Sequence, residues 1–311
     1  MLTIQLTGCD GAVCRLPTLI RWEFELTGGI PCDSMSAVCL YDGGMAEVLP
    51  RATRFLALED GRTVLRGVVD AYEISLSDQG LLVSVEGRGM AALLLDNESE
   101  AVSYERADLD TILQNHAAPY LSVDRRRAVS GGGYTVPAGA SQWRAIRDFT
   151  HRYGGFEPCF TREGALVAAP LWGSGRTLTV DDNTPLLRFV KREQRYGVIS
   201  EVLIQDKVQG VSHRVNNDRF LALGGARRQV LYMPRSTADT RRYTGEYQIA
   251  QSALEQTALT LELPSAFTAF PGDRVSLRLS RLGLGGVYDV TEVRCRMDGS
   301  GVRTVLTLGE R

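Results

Sequence analysis

The most constraining feature of this chain is the rhythm of residues 1 to about 92. "LTIQL", "IRWEFEL", "SAVCLY", "RFLALED", "TVLRGVVDAYEISL" and "LLVSVEG" are short segments with partial period-2 alternation, separated by "GCDG", "TGGIPCD", "DGG", "EDGR" and "SDQG". Alternation turns one face of a strand to a core and the other to water, and Gly, Asp and Pro clusters reverse the chain between strands. Strands at such close spacing are expected to form an antiparallel barrel or sandwich.

The character changes after Gly89. "MAALLLD" reads as a short helix of about seven residues. In "ADLDTILQNHAAPY", Leu109, Ile112, Leu113 and Ala117 share one helical face, and Pro119 ends it. A short strand, "YLSVD", and the loop "SGGGYTVPAGA" follow. Ser141 is placed to cap "QWRAIRDFTHRYGG", where Trp143, Ile146, Phe149 or Thr150, and Tyr153 form a stripe and Gly154 and Gly155 a stop. "FEPCFTREGALVAAP" reads as a hairpin. β character returns near residue 186, yields to a helix over about 240–260, and closes the chain; in "DRVSLRL", Val275, Leu277 and Leu279 alternate with Arg274, Ser276 and Arg278. The expected fold class is mainly β with an α+β middle: two β-barrel-like modules, a small α/β unit and a helical insertion in the second barrel.

One stretch raises the question of chemistry. In "VEGRGMAALLLD", Gly87, Gly89 and Ala92 fit G-x-G-x-x-G/A, the loop that cradles a dinucleotide pyrophosphate. That fold also needs a parallel βαβ unit and an acidic residue about 20 positions on. Glu105 and Asp108 lie near that distance but at a helix start, and the strands before the loop read as antiparallel. The glycines are better explained by a tight strand-to-helix corner. No nucleophile elbow is present. "GSG" at Gly173–Gly175 lacks strand and helix context, His116 and His151 fall on helices without a Ser or Cys partner motif, and Asp181 and Asp182 sit in the turn "DDNTP". No catalytic, cofactor-binding or metal-binding residue is therefore assigned, and no cofactor is expected.

Net charge, −2, disfavours a protein gripping duplex nucleic acid by its phosphates. No run approaches the roughly 18 apolar residues of a membrane helix, and "MLTIQLTGCDGAV" does not read as a secretory signal. Six cysteines (Cys9, Cys14, Cys32, Cys39, Cys159, Cys295) and three histidines (His116, His151, His213) show no zinc-ligand spacing. Reduced thiols are the expectation.

The order of segments resembles the baseplate hub proteins of contractile phage tails and tail-like particles, the Mu-like and late-control-type hubs. "TGGIPCDSMSAVCLY" resembles their opening, and "VLRGVVDAYEISLSDQGLLVSVEGRGMAALLLDNES" their most recognisable stretch. There a G-x-V-D strand, a G-R-D or G-R-G strand end and a small helix ending in D-x-S correspond to Gly67, Val69, Asp70, Gly87, Arg88, Gly89, Leu94, Asp96 and Ser99. "AFPGDRVSLRLSRLGLGGVYDVTEVRCRMDGSGVRTVLTL" is similar to the family's closing hairpins.

The resemblance implies a homotrimer whose chains each supply two similar β-barrels, making a pseudo-sixfold ring that adapts the tail tube to the central spike. Implied partners are the tube protein, the spike, other baseplate proteins and the tape measure protein. The implied location is the tail baseplate, assembled in the host cytoplasm, with neither stable nucleic-acid binding nor membrane insertion by the chain itself. The division expected is a first β-barrel over 1–95, an α/β domain over 96–172, a second barrel begun over 173–215 and completed over 262–311, and an inserted helical segment over 216–261. Arg274, Ser276 and Arg278 are candidate interface positions. Two other readings stay open: a nucleotide-binding or hydrolytic enzyme using Gly87–Ala92, and a monomeric carbohydrate-binding module using exposed aromatics, for which Trp22, Trp143 and Trp172 are available.

Overall fold

The computed structural model describes residues 1–29, 31, 33–78, 80–171, 175–193, 197–254 and 257–309, with Ser77 and Leu254 described by backbone alone. Strands account for 48% and helices for 19%, which makes the chain mainly β with an α+β part. The first set of strands is β1 (Leu2–Gly8), β2 (Val13–Arg15), β3 (Leu19–Thr27), β4 (Ser34–Leu40), β5 (Ala52–Glu59), β6 (Arg62–Ser77) and β7 (Gly80–Gly89). The middle holds α1 (Ala92–Leu95), β8 (Val102–Tyr104), α2 (Leu109–His116), β9 (Val123–Arg126), β10 (Tyr134–Val136), α3 (Gln142–Phe149), β11 (Cys159–Phe160) and β12 (Leu166–Ala168). Then come β13 (Thr177–Asp181), β14 (Arg188–Glu193), β15 (Glu201–Asp206), β16 (Val211–Asn216), α4 (Asp218–Ala222), β17 (Arg228–Tyr232) and α5 (Ala238–Leu254). The last four strands are β18 (Thr257–Leu263), β19 (Arg274–Leu279), β20 (Leu284–Asp298) and β21 (Gly301–Gly309).

The sheet topology is duplicated. In the first half the hydrogen-bonded order is β3-β4-β7-β6-β5-β1; in the second it is β14-β18-β21-β20-β19-β13, with the strands taken in the same chain order. Both long strands break register against their hairpin partner at one point, β6 between Val69 and Ala71 and β20 between Val290 and Glu292. The halves differ at one end: β1 runs antiparallel to β5, whereas β13 runs parallel to β19.

The two halves were expected as separate barrels. Among the described residues they share one 13-stranded sheet instead, because β20 pairs with β3 along Glu292–Met297 and Trp22–Thr27. No closed barrel is found among the described residues. Alternating side chains from both halves fill one core: Phe24, Leu26, Val85, Leu261, Val293 and Leu306 all lie in it. Phe267 bolts the seam, stacked on Trp22 with centroids 5.4 Å apart and edge-on to Phe24 at 5.4 Å.

The middle unit has its own core, in which Leu109, Ile112, Leu113 and Ala117 of α2 meet Trp143, Ile146 and Phe149 of α3. Ser141 caps α3 by accepting from the Arg144 N–H at 3.2 Å, and Gly155 ends the following π turn in the left-handed region. Both strand-sided boundaries of the insertion differ from expectation. Residues 201–215, expected in the second barrel, belong instead to β15 and β16, which with β17 form a separate three-stranded sheet under α5. Residues 257–261, expected in the helical insertion, belong to β18 in the main sheet. In β15 Val202 and Ile204 are fully buried, and their cover is Met233 and Ile249 rather than the main core.

Candidate functional site

The glycine corner is a packing device. A Cβ on Gly87 would lie 2.4 Å from the Val68 carbonyl oxygen and 2.7 Å from the Phe55 ring; one on Gly67 would lie 2.0 Å from the Arg88 carbonyl oxygen and 2.6 Å from the same ring. In the β6–β7 ladder Gly67 stands opposite Gly89 and Gly87 opposite Val69, and Gly67 and Gly87 together let the fully packed Phe55 sit against bare backbone. Gly89 is less constrained, its added Cβ meeting Asp33 at 3.1 Å. The helix that follows is α1, four residues rather than the seven expected, and the flanking strands β4, β6 and β7 are antiparallel. A phosphate cradle would require a parallel unit, and Asp108 is already spent capping α2 through the Thr111 N–H at 2.8 Å.

The remaining residues of this stretch form an ion triad. Asp70 lies at the β6 register break, and Asp96 follows α1. Arg88 between them donates to Asp70 through Nε at 2.8 Å and Nη2 at 2.9 Å, and to Asp96 through Nη2 at 2.7 Å and Nη1 at 3.2 Å. These bonds hold the Arg88 guanidinium charged and keep the Asp96 carboxyl below its usual range. Leu94 and Ser99 of the same stretch are buried, and Val69 is half-buried.

The histidines serve packing. His116 is buried, its Nδ1 2.7 Å from Gln142 Oε1 and its Nε2 3.1 Å from the Tyr104 hydroxyl. Burial lowers its pKa, the Gln142 bond opposing. With Nδ1–H directed to Gln142, the Ser99 hydroxyl at 3.4 Å has no free base. His151 joins Glu157 and Tyr247, the Tyr247 hydroxyl donating to Glu157 Oε2 at 2.6 Å and Arg147 Nε donating to Oε1 at 2.8 Å. This cluster ties α5 to the π turn after α3. His213 is half-buried on β16, opposite Ile204.

Asp181 and Asp182 make turn contacts, to Asn183 and Thr184 and to Ser280. Among the described residues, no group of three or more His, Cys, Asp or Glu could hold a metal ion, and no helix is long and apolar enough to cross a membrane. Trp22 and Trp143 are buried; Trp172, Cys32 and the Gly173–Gly175 stretch lie, in whole or in part, outside the described residues. Arg274, Ser276 and Arg278 alternate with a buried face as expected, but β19 is flanked by β13 and β20 and offers no free strand edge.

Sequence reasoning missed two features. The first is a cavity of about 600 Å³ where the two β halves meet the α/β unit, with Asp33, Arg62, Arg125, Cys159, Arg162 and Phe270 on its wall. Burial pushes the Asp33 carboxyl up to about 6 although Thr27 donates to it at 2.8 Å, and pushes the Cys159 thiol up to about 12. The second is a pair of strand edges, β14 and the far half of β6, that have no partner on one side among the described residues. On the β6 edge Tyr72, Ile74 and Leu76 are 40%, 45% and 80% exposed. Nothing in a linear pattern marks an edge.

No family model matches the chain, and no curated protein matches it by sequence. Solved structures match its fold. The tail protein from Neisseria meningitidis MC58 superposes with a TM-score of 0.79 at 19% identity, over 99% of this chain and 96% of that one. The 43 kDa tail protein of prophage MuSo2 from Shewanella oneidensis superposes with a TM-score of 0.79 at 14% identity, over 98% of both chains. An Escherichia coli component of the type VI secretion system, which exhibits structural similarity to the bacteriophage T4 tail proteins gp27 and gp5, gives a TM-score of 0.55 at 12% identity, over 94% of this chain and 73% of that one. At these identities the likeness establishes a shared fold, and the fold is one that phage tail proteins adopt.

Proposed function

We propose that this protein is the baseplate hub of a contractile phage tail or tail-like particle, acting by assembly rather than catalysis. Three copies form a pseudo-sixfold ring that adapts the tail tube to the central spike, in contact with other baseplate proteins and the tape measure protein. The duplicated topology carries this reading. Two strand modules of the same connectivity in one chain let three chains present six similar modules, so a threefold assembly can match a sixfold one. The shared fold with tail proteins supports it, and the glycine corner, once a candidate for nucleotide chemistry, is filled by Phe55. The modules are residues 1–95 and, discontinuously, about 175–193 with 257–309; the α/β unit over 96–172 and the α5 insertion decorate the ring.

Mass photometry of the protein alone and mixed with its tube protein tests this reading. A ring of three copies in the mixture is the expected result. A protein that stays monomeric in both samples and binds a nucleotide saturably overturns it.

A further inference from the structure

The duplication makes the one junction seen inside the chain a template for a second one. β20 and β3 pair across the seam. Their counterparts are β6 and β14, and these two edges have no second partner among the described residues. The register fixes which residues correspond. Val85 stands opposite Tyr72 on one side and Ala37 on the other, as Leu306 stands opposite Val293 and Leu261. Ala37 in turn faces Trp22, and Leu261 faces Phe189. Tyr72 is thus the counterpart of Val293, and Phe189 that of Trp22. The register breaks agree, since each falls just before the residue preceding the matched position.

We propose that β6 of one copy pairs antiparallel with β14 of the next copy of this chain, with Glu73 opposite Arg192, Ser75 opposite Val190 and Leu76 opposite Phe189. This register follows by carrying the observed seam pairs Arg294–Glu25, Arg296–Glu23 and Met297–Trp22 onto their counterparts. The inference rests on the ring reading above and adds the strand junction and register that build it.

Two independent observations support it. Arg294 Nη2 donates to Glu25 Oε1 at 2.8 Å in the seam, and the equivalent pair, Glu73 with Arg192, restores opposite charge with the signs exchanged. Neither Glu73 nor Arg192 has an ion pair within the described residues. The second observation is apolar exposure: Leu76, at 80%, meets half-buried Phe189, as Met297 meets Trp22. A long apolar strand edge left open invites uncontrolled pairing, so a defined partner removes a liability as well as forming an interface. The contact is head-to-tail: each chain gives β6 to one neighbour and takes β6 from the other through β14.

Disulfide trapping tests the register. Opposite positions on antiparallel strands are within disulfide reach. Ser75→Cys with Val190→Cys in one chain is expected to give covalent dimers and trimers on oxidation, and neither single variant should do so. Ser75→Cys with Lys191→Cys, one residue out and on the other face, should give none. Multimers from that shifted pair or from the single variants overturn the register. Charge reversal adds a second readout: Glu73→Arg should weaken oligomerisation by roughly 2- to 5-fold per junction, and adding Arg192→Glu should restore it. Trimers of native mass that neither cross-link nor respond to reversal overturn this junction and leave the ring standing. A protein that forms no oligomer at any concentration, with or without tube protein, overturns both.

Discussion

Asp70 and Asp96 are 26 positions apart in the sequence and are held together by one guanidinium, that of Arg88. One carboxylate sits at a strand bulge and the other beyond a one-turn helix, so the triad pins the exit of the first strand set to the entrance of the α/β unit. Its members are partly exposed, which limits the gain from each pair, while the forked geometry raises it. Arg88→Ala should cost about 1 kcal/mol in urea unfolding. In that background Asp70→Asn should cost nothing further, because the two substitutions remove the same contact.

The glycines rank differently from what their place in the motif suggests. Gly67→Ala and Gly87→Ala drive a methyl into backbone oxygen and the Phe55 ring, and each should lower stability by about 3 kcal/mol or leave the protein unfolded. Gly89→Ala is tight only against the Asp33 side chain, with Leu65 at ordinary contact distance, and should cost about 1 kcal/mol. Equal losses at all three positions, measured by thermal unfolding, would contradict the packing account.

Asp33 gives a pH signature. Its folded pKa, about 6, is raised from an ordinary 3.8 by burial, so between those values the folded state holds more proton than the unfolded one. The stability this carboxyl contributes is complete below about 3.8 and lost as pH rises through about 6. Asp33→Asn keeps an acceptor for Thr27 and cannot ionise. The difference in unfolding free energy, variant minus native, should rise across that window and level off above it.

The docking of α5 depends on a carboxylate of opposite behaviour. Burial works to raise the Glu157 pKa; the bond and charge of His151, the Tyr247 hydroxyl and Arg147 more than offset it. Its contribution is therefore present above the ordinary value of 4.5 and lost on acidification. Tyr247→Phe removes two contacts and should cost about 1–2 kcal/mol, with faster amide exchange along α5 and little change in β20 and β21.

Much of this fold is written in local alternation. The pattern that buries Val275, Leu277 and Leu279 is plain in "DRVSLRL", and α3 announces itself by Ser141 and its Trp143–Ile146–Phe149 stripe. Pairing is not local. "EVLIQD" alternates as well as any core strand, yet which sheet receives it is decided by β17 and α5 further along. Gly87 and Gly89 look alike in the motif, and only the position of Phe55, on another strand, separates their burdens. The Asp33 carboxyl was illegible for the same reason: its burial is contributed by three distant parts of the chain that wall the cavity.

The seam also sets a timetable. β3 lies near the start of the chain, and its partner β20 near the end, with Glu25 and Arg294 separated by 269 positions. A ribosome must deliver that whole interval before β3 receives its second neighbour, and such long-range pairing is slow to close. Through that interval every nascent chain displays a bare β3 edge, the counterpart of the β14 edge that has no second partner among the described residues of the finished chain. Early encounters between unfinished chains would then build contacts resembling the native ones in the wrong place, so yield should fall with expression rate sooner than with temperature.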